Sequence, residues 1–314
     1  MVVLLLALVA GSRPAWAQQD KMFSQYMFNM LAVNPAYAGS RSVLSATGLY
    51  RNQWGGIPGA PQTATFTLDM PVSQERVGLG LQVYNDRLGA SAETGVFATY
   101  AYRIRLGDRS TLSLGLQGGA VSFQWNLADA MLNPDGTPDP AFSQNISKIL
   151  PNFGTGIYLS SDRSYLGASV PQLVKNKLSD FDSGSERAVQ RRHAYVMGGF
   201  VVGLSDALKL KPSFLVKYAE GAPLGIDGNI NLWIADRLAI GGSYRRNQFN
   251  SFGAFSSDAI VGMVEVQLSD QIRLGYAYDR MLNNLRSFGP NSHELMLRYE
   301  FGFGRSRILT PRYF

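Results

Sequence analysis

The chain has 314 residues, of which 46% are hydrophobic and 17% charged, with no cysteine and a formal charge of +6. Its basic residues are scattered, so no face is marked out for nucleic acid. Without cysteine, neither a disulfide framework nor thiolate chemistry is available. The longest apolar run, MVVLLLALVA at residues 1–10, is shorter than the about 20 residues a membrane helix needs.

Residues 1–17 are expected to be a signal peptide: the apolar run, a Gly/Pro break at Gly11 to Pro14, then Ala15-Trp16-Ala17 as a small-x-small cleavage site before Gln18. Residues 18–42 do not alternate. Within them Phe23, Tyr26, Met27, Met30 and Leu31 recur at helical spacing. So many Met and aromatic side chains are unfavourable in water without cover, which leaves two readings, a plug inside a larger structure or a periplasmic arm for a partner.

From Val43 the period is two, the mark of strands with one apolar face. The expected strands are 43–52, 62–70, 77–86, 93–106, 110–125, 152–160, 164–171, 193–204, 208–219, 224–234, 238–247, 257–268, 272–282 and 292–304. The even-numbered ones are followed by tight turns: PVSQER, GDR, SDR, SDA, ADR and SDQ. After odd-numbered strands the connections are mostly long, above all 126–150 and 171–192. Short turns at one end and long loops at the other predict an all-β outer-membrane barrel of about 14 antiparallel strands over 43–304, with a non-strand N-terminal segment and a tail at 305–314.

A soluble sandwich also alternates, but its strands average about 5–6 residues. The polar face here would collect Lys209, Lys211, Lys217, Arg245, Arg273, Arg298, Asp227, Glu265, Asp279, Glu294 and Glu300. A dry core does not tolerate that many charges, whereas a wet or filled lumen does. The opposite face, with Phe66, Met70, Tyr100, Tyr102, Leu274, Tyr276 and Tyr278, is expected to meet lipid.

Ser292, His293 and Glu294 are adjacent, but neighbours on a strand point to opposite faces, so they do not form a hydrolase triad simply. His193, His293, Asp180 and Asp182 show no recurring ligand spacing for a metal. GLGLQ and GTGIY carry Gly-x-Gly with no helix behind it, and read as small residues fitting the lumen. No enzyme activity and no cofactor are expected.

Two end motifs carry a family likeness. FSQYMFNML (Phe23 to Leu31) with NPAYAGS (Asn34 to Ser40), followed by YRNQWGGIPGAPQTATFTLDMPV from Tyr50, resembles the N-terminal signature of the PorP/SprF family of type IX secretion system membrane proteins of Bacteroidetes. ILTPRYF, from Ile308 to Phe314, is similar to that family's closing tail. The resemblance implies an outer-membrane barrel with both termini periplasmic. It would dock or anchor secreted cargo through an adhesin or gliding-type C-terminal domain, or assist its export, and would also meet periplasmic, peptidoglycan-linked components. A porin-like or hydrophobic-solute channel is the alternative.

If cargo docks, the two longest connections are the natural place, because ordered loops beyond about 12–15 residues are usually functional. They mix apolar anchors with polar rims. Met131, Phe142 and Ile146 stand in one, Leu178 and Phe181 in the other, and Arg187, Arg191 and Arg192 add a basic edge. Arg312, Tyr313 and Phe314 of the tail read either as a periplasmic contact or as a frayed end.

Overall fold

The alternation becomes a closed ring of antiparallel strands. The computed structural model describes residues 23–127, 145–178, 189–220, 222, 224–247, 259–282 and 291–302. Its strands are β1 (Leu44–Gly55), β2 (Gln62–Val72), β3 (Val77–Leu88), β4 (Ser91–Arg105), β5 (Ser110–Trp125), β6 (Ile146–Ser161), β7 (Ser164–Val170), β8 (His193–Phe200), β9 (Val202–Gly203), β10 (Leu208–Ala219), β11 (Gly225–Ile234), β12 (Leu238–Asn247), β13 (Ala259–Gln267), β14 (Ile272–Met281) and β15 (Asn291–Phe301). Each pairs with its sequence neighbour, β15 pairs with β1, and β10 pairs with both β8 and β11, so fourteen strands close the barrel. The two-residue β9 continues β8 in the same register against β10. The break falls opposite Pro212, which has no N–H to give the ladder.

The faces separate as the period requires. Thr63, Thr65, Thr67 and Asp69 are buried within, while Phe66 and Met70 of the same strand are exposed outside. Arg273, Ala277 and Asp279 point in, and Leu274, Tyr276 and Tyr278 point out. The inner face holds Lys211, Asp227, Arg245, Glu265, Glu294, Arg298 and Glu300, all buried. The apolar outer surface is the one a bilayer covers, and strands of about 9–11 residues suffice to cross it. Among the described residues no helix is long and apolar enough to span a membrane.

The repeated Ser-Asp phrase makes the tight turns through its serine. Ser161 Oγ accepts from the Ser164 amide at 3.1 Å, Ser205 Oγ from Leu208 at 3.1 Å and Ser269 Oγ from Ile272 at 3.1 Å. The β2–β3 and β11–β12 turns lack glycine where the backbone asks for it. Ser73, Gln74 and Glu75 have φ of 52°, 57° and 66°, and Ala235 and Asp236 have 50° and 58°.

Two expectations need correction. Strand β6 begins at Ile146, six residues before the expected 152, so Ile146 lies in a strand opposite Trp125 and not in a loop. Pro151 concealed this extension from a sequence reading. The helical spacing of 23–31 does not make an α-helix either. It makes 3₁₀ turns at Tyr26–Phe28 and Met30–Ala32, with a third at Pro35–Tyr37, broken at Asn29 (φ −136°, ψ 63°) and at Asn34 (φ −135°, ψ 113°).

Candidate functional site

Residues 23–42 make contacts to strands all around the ring, which is possible only from inside it. Tyr26 Oη lies 2.8 Å from Asn229 Nδ2 on β11, Asn29 Oδ1 accepts from Thr67 on β2 at 2.9 Å, and Val33 O accepts from Ser169 on β7 at 2.8 Å. Tyr26, Met27, Phe28, Met30 and Leu31 are at most 4% exposed, and Phe23 packs against the same cluster. Burying each such side chain contributes about 1.5–3 kcal/mol relative to exposure.

The segment descends through the lumen. At the long-connection end Glu294 accepts from the amides of Ser24 (2.8 Å) and Gln25 (2.7 Å) and from Arg51 at 3.0 Å. Arg51 and Arg245 share Asp279, at 2.9 and 3.1 Å, and Ser24 Oγ donates to it at 3.2 Å. Arg245 also meets Asp227 at 3.2 Å, and Lys217 meets Asp227 at 2.8 Å. The three cations and three carboxylates of this cluster balance, as buried charges must. At the short-turn end Gly39 N donates to Asp69 at 2.9 Å and Arg41 pairs with Glu300 at 2.5 Å, just before β1 begins.

Wall glycines make room for the segment's backbone. A side-chain carbon at Gly78 would overlap Ala38, at Gly115 it would overlap Ala36, and at Gly156 it would overlap Asn34. Asn34 is the keystone: its Oδ1 accepts from Ala36 N at 2.9 Å and its Nδ2 donates to Ile157 O at 3.0 Å. The sequence reading singled out none of Asn34, Glu294 or Asp69 as anchors of the segment. The Asn-Pro dipeptide and the Gly-x-Gly strands were the signals available for them.

The connection after β7 also turns inward. Pro171 O accepts from Gln117 at 2.8 Å, and Asn152 bonds both the N–H and the C=O of Val174, at 3.0 and 3.1 Å. Leu178 is buried against Tyr84, Phe97, Val121, Phe123 and Leu150, and Ile146 packs at the edge of the same cluster. Arg192, which is exposed, donates to Leu173 O at 2.6 Å. Arg191 and Arg192 stand near Glu220, whose carboxyl is held below its ordinary range by the hydrogen bond and charge of Lys175, with the two arginines adding to it. Met131, Phe142, Phe181, Arg187, Arg312, Tyr313 and Phe314 lie outside the described residues, as do Asp180 and Asp182.

The histidine constellation comes apart on inspection. Ser292 faces the lumen and accepts from Trp54 N at 3.2 Å, whereas His293 faces outward with Tyr276 Oη 2.8 Å from its Nδ1. Among the described residues no cluster of His, Asp or Glu suited to a metal occurs.

Solved outer-membrane barrels share this architecture. The CymD monoaromatic hydrocarbon channel superposes with a TM-score of 0.51 at 9% identity, covering 90% of this chain and 94% of its own. A Pseudomonas aeruginosa FadL homologue gives 0.48 at 15% identity (88% and 94% covered), and Acinetobacter baumannii Omp33 gives 0.47 at 8% (83% and 98%). At these identities the likeness speaks to fold alone. No curated protein matches the sequence. The family model of the type IX secretion system membrane protein PorP/SprF matches residues 15–299, and the chain belongs to that family.

Proposed function

We propose that this barrel is a non-enzymatic docking protein of the type IX secretion system, which holds a secreted surface protein at the outer membrane or assists its export. The observation that carries the reading is the filled lumen. A conducting porin needs an open path, whereas here the 23–42 segment and the inward-turned connection after β7 occupy the interior. Family membership supplies the secretion context. Periplasmic or peptidoglycan-linked components are further candidate partners on the short-turn side.

On this reading the tight turns lie in the periplasm and the long connections outside. β15 then finishes on the periplasmic side, while Ser24 and Gln25 lie in the outer half of the lumen. A cysteine at Ser161 should resist an impermeant thiol reagent on whole cells and one at Pro58 should react; reversed labelling would invert the topology.

Docking itself is tested by purifying the barrel from native outer membrane without crosslinker. A large secreted protein recovered in near one-to-one amount supports the reading. Recovery of the barrel alone from an intact membrane counts against it.

A further inference from the structure

The wall of the barrel is uneven. β6 pairs with β7 only over Thr155 to Ser160, so residues 146–154 run on beyond it, about 30 Å at 3.3–3.4 Å per residue. β5 covers one side of this stretch along its whole length. On the other side the chain leaves β7 at Val170 and turns into the lumen, bonding Phe153 O through Leu173 N at 2.8 Å and Pro151 O through Asn176 at 3.0 Å.

The Phe153 bond fixes which residues of β6 point their backbone away from β5. Because N–H and C=O of alternate residues face the same way, those residues are Phe153, Pro151, Ile149 and Ser147. Pro151 has no N–H to lose there, which explains its place in a long strand. Ser147 and Ile149 have no partner on this side among the described residues. Ile149 is 77% exposed and Phe153 60%. Among the described residues the surroundings are basic. Lys148 is on the strand itself, and Lys175, Lys177, Arg191 and Arg192 stand on the connection beside it, with Glu220 already bonded to Lys175.

We infer that the edge of β6 at Ser147 and Ile149, which no described strand covers, is a docking site at which an extended, acidic segment of a secreted partner adds as a strand. This rests on the docking reading above and gives it a place. An open edge offers main-chain hydrogen bonds only to an extended chain, and alternate side chains beside Ile149 and Phe153 supply apolar contact. The cations favour an acidic segment, steering its approach.

The test uses the full-length barrel in its native membrane, with a photo-crosslinking amino acid at Ser147 and, separately, Ile149→Pro and Ile149→Ala. Proline removes the free N–H without touching the β5 ladder, while alanine keeps it. The adduct from position 147 should map to an acidic segment of a secreted protein. Ile149→Pro should cut recovery of that protein about tenfold, and Ile149→Ala less than about threefold. Heat-modifiable migration on a gel checks that each barrel is folded. Wild-type recovery with a folded Ile149→Pro barrel would overturn the site while leaving docking standing. A crosslink from 147 to residues 128–144 or 179–188 of the same chain would overturn it too, since the edge would then be covered from within. If the wild-type barrel recovers no secreted protein at all, the docking reading fails first and the site falls with it.

Discussion

Glu294 accepts from two backbone amides and a guanidinium at once, so its removal leaves the Ser24 and Gln25 amides without their acceptor inside the barrel and Arg51 with one buried carboxylate, Asp279, in place of two. Breaking a buried charge pair of this kind costs about 3–5 kcal/mol. Glu294→Ala should therefore lower the urea midpoint of the refolded barrel substantially, and Glu294→Gln by less, because an amide oxygen still accepts. An unchanged midpoint for both would mean that the segment is held elsewhere. A second residue-scale contrast uses glycines. Gly115→Val places a side chain where Ala36 already lies, whereas Gly228→Ala meets nothing within 4 Å. Protease cleavage within 23–42 should rise in the first variant and stay at the wild-type level in the second. Ala235→Gly relieves a φ of 50° and should stabilise by about 0.5–1 kcal/mol in the same urea titration.

At the scale of elements, the strands were legible because each carries a two-residue period and stops at a Ser, Asp or Gly turn. β5, β10 and β12 have the expected bounds. The charged inner face was legible as well, since Lys211, Asp227, Glu265 and Glu294 alternate with apolar neighbours. What escaped was decided by contacts between distant parts. Nothing local tells that Pro151 sits on an edge that β7 does not reach, so β6 read as starting after it. Nothing local tells that 23–31 is enclosed on all sides, where an amphipathic helix has no advantage and short 3₁₀ turns bring Tyr26 to Asn229 of β11, Phe28 to Lys211 of β10 and Leu31 to Gly80 of β3. Leu178 read as a surface anchor but is buried against Tyr84, Phe97, Val121, Phe123 and Leu150, whereas Arg192 stands exposed on the same connection. The segment as a whole is testable by deletion. Loss of residues 23–41 should abolish heat-modifiable migration or lower its transition well beyond any single substitution, since Tyr26, Met27, Phe28, Met30, Leu31 and Tyr37 leave the interior together.

For the whole molecule the central claim is that the barrel is closed by its own chain and works by holding a partner. Fold likeness to channels does not decide this, because the same wall encloses an open or a filled lumen. The measurement that bears on it most directly is single-channel conductance of the purified full-length protein in planar bilayers, recorded beside the 23–41 deletion. The account predicts a near-silent wild type and steady openings once the segment is gone. Steady ohmic conductance from the intact protein, unchanged by the deletion, would contradict it.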